Sequence, residues 1–146
     1  MILHHQQAVD MAVLVADRTN SKDIRDIAGR INVSQADEIK FMRDWLSARG
    51  EAAPDPKHHE AMHVSHKMAG MASPKEMEEL AAAKGAGFDR LFLTLMIAHH
   101  KGAVKMSDAA LKQAKHAEVK AKAQEIHDKQ KREITDMEMM LKNIKS

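Results

Sequence analysis

Two stretches of this chain follow one pattern, which restricts the folds that it can adopt. Shifted by 95 residues, the sequence overlays on itself without a gap. The matched positions are His4, His5, Ala8, Val9 and Met11 with His99, His100, Ala103, Val104 and Met106, and Ala28, Ile31, Gln35, Glu38, Ile39, Met42 and Leu46 with Ala123, Ile126, Gln130, Glu133, Ile134, Met137 and Leu141. Two units built on one plan are therefore expected.

The spacing of apolar residues predicts two helices in each unit. In the first unit, one helix is expected to run from the start to about Arg18. A second helix follows a cap at Asn20 or Ser21 and ends before Gly50 and Pro54. Its apolar residues recur at about the 3.6-residue period of a helix.

The second unit predicts helices from about Phe88 to Ala114 and from about Ala117 to Asn143. Between the units, the sequence 73–76 reads Ser-Pro-Lys-Glu, a capping box with proline at the first helical position. It predicts a short helix, which we expect Gly85 and Gly87 to stop.

Two helical hairpins with matching apolar faces bury those faces best against each other. The fold class expected is therefore all-α, an antiparallel four-helix bundle of two repeated hairpins (about 1–48 and 88–144). A connection rich in His and Met and a short helix would lie between them. We expect a single domain over 1–146, with hairpin 1 at 1–48, the linker and short helix at 49–86, and hairpin 2 at 87–146.

Composition excludes several function classes. The chain has no cysteine, so disulfides, thiolate metal sites and a cysteine nucleophile are excluded. Its net charge of +2 and its four Phe and Trp residues argue against nucleic-acid binding. No apolar run approaches the roughly 20 residues of a membrane span. The twelve Met and ten His are the anomaly that needs a function.

The two units differ at their N-terminal ends. Met1 is the counterpart of Met96, so the first unit lacks the turns that correspond to Phe88–Leu95. No signal peptide is visible. We therefore expect a trimmed start, from which an export signal has been lost.

Methionine and histidine share one helix face in both units. Met1, His4, Ala8, Met11 and Val15 repeat as Met96, His99, Ala103, Met106 and Ala110. Thioether and neutral imidazole are donors that suit copper(I) or silver(I). The alternative is that the methionines fill gaps in the core and the histidines are hydrogen-bonded core residues.

Four polar residues lie on or beside the apolar stripe of the second helix in each unit: Gln35, Glu38, Gln130 and Glu133. Buried amides and carboxylates need partners. They are expected either to orient the histidines by accepting a ring N–H, or to hydrogen-bond each other across the bundle.

The link between the units holds seven candidate ligands in residues 58–71: His58, His59, Met62, His63, His66, Met68 and Met71. The alternative is a disordered linker of accidental composition. The sequence 59–63 also spells His-Glu-x-x-His, the zinc metalloprotease motif. A protease needs a distant third ligand and an edge strand, and the sequence predicts no strand. The second Glu-x-x-His of a di-iron bundle is missing as well.

The stretch from Leu95 to Met106, preceded by Phe88-Asp89-Arg90-Leu91-Phe92, contains a specific His-His-x-Gly-Ala-x-x-Met core. It resembles the signature of a bacterial His- and Met-rich family, domain of unknown function number three hundred and five, which includes a copper-binding protein. The later Gln-x-x-Glu-x-x-x-Met at 130–137 and the Gly70-Met71 step fit as well.

This resemblance implies a ferritin-like four-helix bundle, exported to the periplasm or the cell surface, that binds copper or silver and supports metal resistance. The motif residues of the family map onto His4, His5, Met11, His99, His100 and Met106, with Gln35, Glu38, Met42, Gln130, Glu133 and Met137 nearby.

The sequence thus favours a soft-metal binding protein, not an enzyme, acting in sequestration, shuttling or resistance. Copper(I) is the expected ion, copper(II) a second candidate, silver a mimic and zinc less favoured. A copper-exporting or copper-receiving protein is the expected partner, and the location is periplasmic or secreted. The expected metal ligands are His4, His5, Met11, Met42, His58, His59, Met62, His63, His66, Met68, Met71, Met96, His99, His100, Met106 and Met137. The rival functions are a zinc hydrolase using His59, Glu60 and His63, and a metal-independent helical interaction module.

Overall fold

The structure is a computed structural model that describes residues 1–52 and 68–144. Its helices are α1 (Ile2–Val13), α2 (Lys22–Ala48), α3 (Pro74–Ala82), α4 (Gly85–Gln113) and α5 (Ala117–Asn143), and a 3-10 turn, Leu14–Asp17, extends α1. No strand occurs in these two ranges. The prediction of an all-α fold is confirmed. Within the same ranges, no helix combines the length and the apolar character that crossing a membrane requires.

The helices pair as two hairpins. α1 packs along α2, and α4 packs along α5, while the hairpins meet where α1 lies against α4. The bundle of two hairpins is therefore as expected. Its apolar core draws on both units and includes Ile27, Ile31, Phe88, Phe92 and Met137, each fully buried.

Local capping explains where two of the helices, α2 and α3, begin. The Ser21 side chain accepts a hydrogen bond from the Ile24 amide at 3.4 Å at the start of α2. At the start of α3, the Glu76 amide donates to the Ser73 hydroxyl at 3.1 Å, and the Glu76 carboxylate accepts from the Ser73 amide at 2.9 Å. The capping box read from the sequence is confirmed.

We expected Gly85 and Gly87 to stop the short helix, and this prediction was wrong. α3 already ends at Ala82, and Gly85 is the first residue of α4. Its φ of +61° is positive, a conformation that glycine adopts more readily than other residues. Its amide donates a hydrogen bond to the Arg18 carbonyl at 2.8 Å. Gly85 therefore turns the chain directly from α3 into α4, and Gly87 lies within the first turn of α4.

The segment Ala69–Ala72, called the strap below, is fastened to both hairpins. Gln7 of α1 pairs with Ala72 through two hydrogen bonds of 2.9 Å, one to the carbonyl and one from the amide. On the other side, Gly70 lies directly against the backbone of α4 at Gly102. A Cβ at either glycine would overlap a backbone carbonyl, so this approach requires both.

Candidate metal centre

A group of buried polar side chains lies among the helices of the bundle, and we call it the polar layer. Each unit contributes two histidines, one glutamine and one glutamate. At most 7% of any of them is exposed. The members are His4, His5, Gln35 and Glu38 from hairpin 1, and His99, His100, Gln130 and Glu133 from hairpin 2.

Two histidine rings, one from each hairpin, stack at the centre of this layer. The ring centroids of His4 and His99 are 3.7 Å apart, with an angle of 30° between the planes. The two residues occupy equivalent positions in the repeat. Neither side chain is exposed to solvent.

A histidine–glutamate pair flanks the stacked rings in each hairpin. Nε2 of His5 donates to Oε1 of Glu38 at 2.7 Å, and Nε2 of His100 donates to Oε1 of Glu133 at 2.8 Å. Of the two arrangements expected for the four polar residues, the glutamates adopt the first, in which they accept from histidine. No partner within the described residues hydrogen-bonds the amide of Gln35 or Gln130.

The Glu38 carboxyl is buried but remains a good acceptor. Burial alone raises its pKa, but the hydrogen bond to His5 and the electrostatic interaction with that ring lower it, and Lys129 adds to this effect from 3.4 Å. The net pKa lies below the ordinary value of 4.5. The carboxylate therefore holds the His5 ring with Nε2 protonated.

One ring nitrogen of His4 is left available for metal coordination. Its Nε2 donates to the carbonyl oxygen of Ala69 in the strap at 2.9 Å. Burial lowers the pKa of His4 to about 3, so the ring is neutral and Nδ1 carries a lone pair. Nδ1 of His4 and Nδ1 of His5 have no hydrogen-bond partner among the described residues.

His99 is the least satisfied member of the layer. Burial is the main cause that holds its pKa well below 6.5, and electrostatic interaction with the neighbouring imidazoles of His4 and His100 lowers it further. The backbone of His4 offsets this in part, but neither nitrogen of His99 reaches a described partner with hydrogen-bond geometry. An unsatisfied buried polar group costs about 1–3 kcal/mol. Such a concentration of unpaired groups is typical of a site kept for function.

His100 differs from its three histidine neighbours. Its Nδ1 faces the Met96 carbonyl at 3.0 Å, and its Nε2 faces Glu133 at 2.8 Å. Both ring nitrogens therefore have a protein partner. His100 therefore serves better as a fixed support than as a ligand.

The predicted sulfur ligands fall into three places. Met11, Met96 and Met137 are fully buried in the apolar core, whereas Met42 and Met106 are partly exposed. Met68 and Met71 are partly exposed beside and within the strap. No group of three or more His, Asp or Glu side chains in 1–52 and 68–144 is arranged to hold a metal ion. A metal centre here has to combine imidazole with thioether.

The remaining linker ligands, His58, His59, Met62, His63 and His66, lie outside the described residues. The same holds for the His59–His63 zinc motif. These assignments remain predictions.

Sequence reasoning missed the parts that hold His4 in place. The Ala69 carbonyl fixes its ring, and Gln7, Gly70 and Gly102 fix the strap. The signal available was Gly102, which lies inside a predicted helix where glycine is unfavourable.

Substitution of Gly102 by alanine tests this packing. The added methyl group would overlap the Ala69 carbonyl, so we expect Gly102→Ala to displace the strap and to lower the free energy of unfolding by about 2 kcal/mol. Gly29→Ala in α2 is the matched control, because nothing lies within 4 Å of the added group. It should raise stability by up to about 1 kcal/mol. Equal thermal shifts in both variants would rule out the close contact.

Comparisons with known proteins show which family the chain belongs to and agree with its fold. The family model described as domain of unknown function (DUF305) matches residues 1–141. A DUF305 fragment from Deinococcus radiodurans is 34% identical, with a TM-score of 0.84, over 97% of this chain and 89% of that chain. A DUF305 protein of Streptomyces coelicolor, inferred to be secreted, is 31% identical with a TM-score of 0.83, over 94% and 83% of the chains.

The chain is also similar to CopM in its Cu(I)-bound form, with 27% identity and a TM-score of 0.79 over 98% of this chain and 91% of CopM. CopM has further structures in Cu(II)-bound and Ag-bound forms. No curated protein matches this chain.

Proposed function

Because this chain belongs to the DUF305 family, we propose that it captures copper(I) or silver(I) and passes the ion on, and that it is a binding protein, not an enzyme. The observation that carries the proposal is the stacked His4–His99 pair, whose buried, neutral rings hold nitrogens without a hydrogen-bond partner among the described residues. The copper- and silver-bound forms of CopM support it.

The depressed pKa of both rings suits this task. Metal binding requires a deprotonated imidazole nitrogen, and protons ordinarily compete for it near pH 6.5. Burial lowers the pKa of His4 to about 3 and that of His99 well below its usual value. Protons therefore compete weakly in neutral and mildly acidic surroundings.

The ligands proposed for the central ion are one ring nitrogen from each hairpin, that of His4 or His5 and that of His99, completed by core methionine sulfur. Copper(I) and silver(I) accept nitrogen and thioether donors. Glu38 would orient His5, as outer carboxylates do at metal sites.

A second, shallower site is proposed at the partly exposed methionines Met68 and Met71, together with the histidines at 58–66. A shallow site next to a buried one would allow an ion to be loaded and handed on. We further propose a periplasmic or secreted location and a copper-exporting or copper-receiving partner, in line with the inferred secretion of the relative from Streptomyces coelicolor.

Anaerobic titration with copper(I) in the presence of a competing chelator tests the proposal, with zinc titrated in parallel. We expect the protein to remove at least one equivalent of copper(I) from the chelator and to hold zinc weakly. If the chelator keeps all of its copper(I) and silver(I), the proposed function is wrong.

The double variant Met68→Leu, Met71→Leu tests the shallow site in the same titration. Copper(I) affinity should fall about tenfold, or one equivalent should be lost, because two thioether donors are removed. The far-UV circular dichroism should stay unchanged, because both positions lie outside the helices. Met139→Leu is the control, since this methionine is 62% exposed and belongs to no proposed site. Equal binding in both variants would exclude the two methionines as ligands.

A further inference from the structure

The strap separates a buried histidine from solvent where the two hairpins meet. The carbonyl of Ala69 accepts the hydrogen bond from Nε2 of His4 at 2.9 Å, and the His4 side chain is fully buried. Ala69 itself is partly exposed. At this place a single residue therefore lies between the ring of His4 and the solvent. An ion that reaches the polar layer from this side has to displace that residue.

One side chain of α1 fastens the strap. Gln7 lies one turn after His4, and its amide group donates to the carbonyl and accepts from the amide of Ala72, each at 2.9 Å. Only 3% of Ala72 is exposed. These two hydrogen bonds are therefore largely shielded from competing water, which strengthens them.

The α4 side holds the strap by close packing. The α4 backbone at Ala98 and Gly102, on either side of His99 in sequence, lies directly against the backbone of the strap. Gly102 is the counterpart of Gln7 in the repeat. Of these two equivalent positions, the one on α4 therefore supplies space for the strap, and the one on α1 supplies the hydrogen bonds that oppose its opening.

We propose that Gln7 is a positioning residue that keeps the strap closed over the stacked histidines, and that copper(I) enters and leaves the polar layer when its bond pair with Ala72 opens. This inference rests on the proposed function, because it requires an ion in the polar layer. Segments that cover a binding site commonly open locally while the rest of the fold stays intact.

The strap also carries the sulfur atoms of the proposed shallow site. Met68 and Met71 lie beside and within it, and both are partly exposed. The Met71 amide donates to the Met68 carbonyl at 3.3 Å, so one turn of backbone joins them. An ion held by these two thioethers would lie at the place that opens.

Substitution of Gln7 by leucine tests the proposal, since it removes both hydrogen bonds at similar side-chain size. Two hydrogen bonds of ordinary net strength correspond to about a 30-fold change in the open population. Transfer of copper(I) from the loaded protein to an excess of chelator should therefore be about 30-fold faster. Loading should accelerate equally, because entry and exit share the opening step, so Kd should change by less than about threefold. Hydrogen exchange of the Ala72 amide should accelerate as well.

Gln6→Leu is the matched control. Gln6 is the neighbouring residue of α1, and its side chain donates to Asp10 at 3.0 Å in an exposed hydrogen bond that does not involve the strap. This variant should transfer copper(I) at the parent rate. Gly102→Ala displaces the strap from the opposite side, and we expect it to speed the transfer by about tenfold or more.

Two results would overturn the inference. If Gln7→Leu accelerates exchange of the Ala72 amide and leaves the transfer rate unchanged, ions do not pass the strap. If the exchange of that amide is also unchanged, Gln7 does not hold the strap closed. Both results presuppose a parent protein that takes copper(I) from the chelator in the equilibrium titration. A parent that takes none refutes the proposed function itself, so the two failures are distinguishable.

Discussion

Replacement of His99 by leucine should make the protein more stable and at the same time a poorer copper(I) binder. Both ring nitrogens of His99 are buried without a described hydrogen-bond partner, at a cost of about 1–3 kcal/mol for an unsatisfied group. Leucine has a similar size and no polar atom. We expect His99→Leu to raise the free energy of unfolding by about 2 kcal/mol, and Tm by about 4–8 °C.

The same substitution removes a proposed ligand from the stacked pair. Loss of an outer-sphere partner typically costs 10–100-fold in metal affinity, and we expect the loss of a direct ligand to cost at least about 100-fold. Thermal melts and chelator competition on the same preparation measure both effects. His116→Leu is the control, because His116 is exposed and outside the polar layer. If His99→Leu destabilises the chain and leaves copper(I) affinity unchanged, His99 is a structural residue.

As the pH falls, protonation of the histidines should destabilise this protein before protonation of its carboxylates does. The folded state keeps the pKa of His4 at about 3 and that of His99 well below 6.5. The unfolded chain binds protons at these residues as soon as the pH falls below about 6.5. Stability is therefore complete above that pH and decreases as the pH falls toward 3. His4 alone should account for roughly 4 kcal/mol of this loss.

Glu38 acts in the same direction over a lower range. Its folded pKa lies below 4.5, so its contribution is present above that pH and is lost as the pH falls further. Urea unfolding at pH 7.5, 6, 5 and 4 measures the profile, and His99→Leu should flatten it between about pH 6.5 and 4.5. A wild-type profile that is flat down to about pH 4.5 would contradict the burial of neutral histidine.

Much of the fold could be predicted from the sequence by local rules. The apolar period, the Ser21 cap and the Ser73–Glu76 capping box act within one or two turns, and the structure contains each of them. The repeat added the long-range information, since equivalent units were expected to pack by equivalent faces. Gly85 misled because the same residue can end one helix or begin the next, and its bond to the Arg18 carbonyl decides between them.

The candidate metal centre could be predicted only in part from the sequence. The helical stripes placed His4 on the inner face of the first helix and Glu38 on or beside that of the second. The pairing of His5 with Glu38 depends on the approach of α1 to α2. The free Nδ1 of His4 depends on the strap carbonyl at Ala69, which is 65 residues away in sequence and follows no periodic pattern. That the amides of Gln35 and Gln130 have no hydrogen-bond partner among the described residues becomes clear only when their neighbours have been placed.

The stacked rings of His4 and His99 bear on the ancestry of the chain. Each hairpin delivers an identical set of side chains to the polar layer, so the layer does not need two different halves. Two copies of one hairpin, related by a twofold axis, would assemble the same set, with the histidine pair on the axis. Gene duplication and fusion of such a self-pairing hairpin would leave the 95-residue repeat that the chain retains. After such a fusion, the sequences of the two halves would be free to diverge at positions far from the axis.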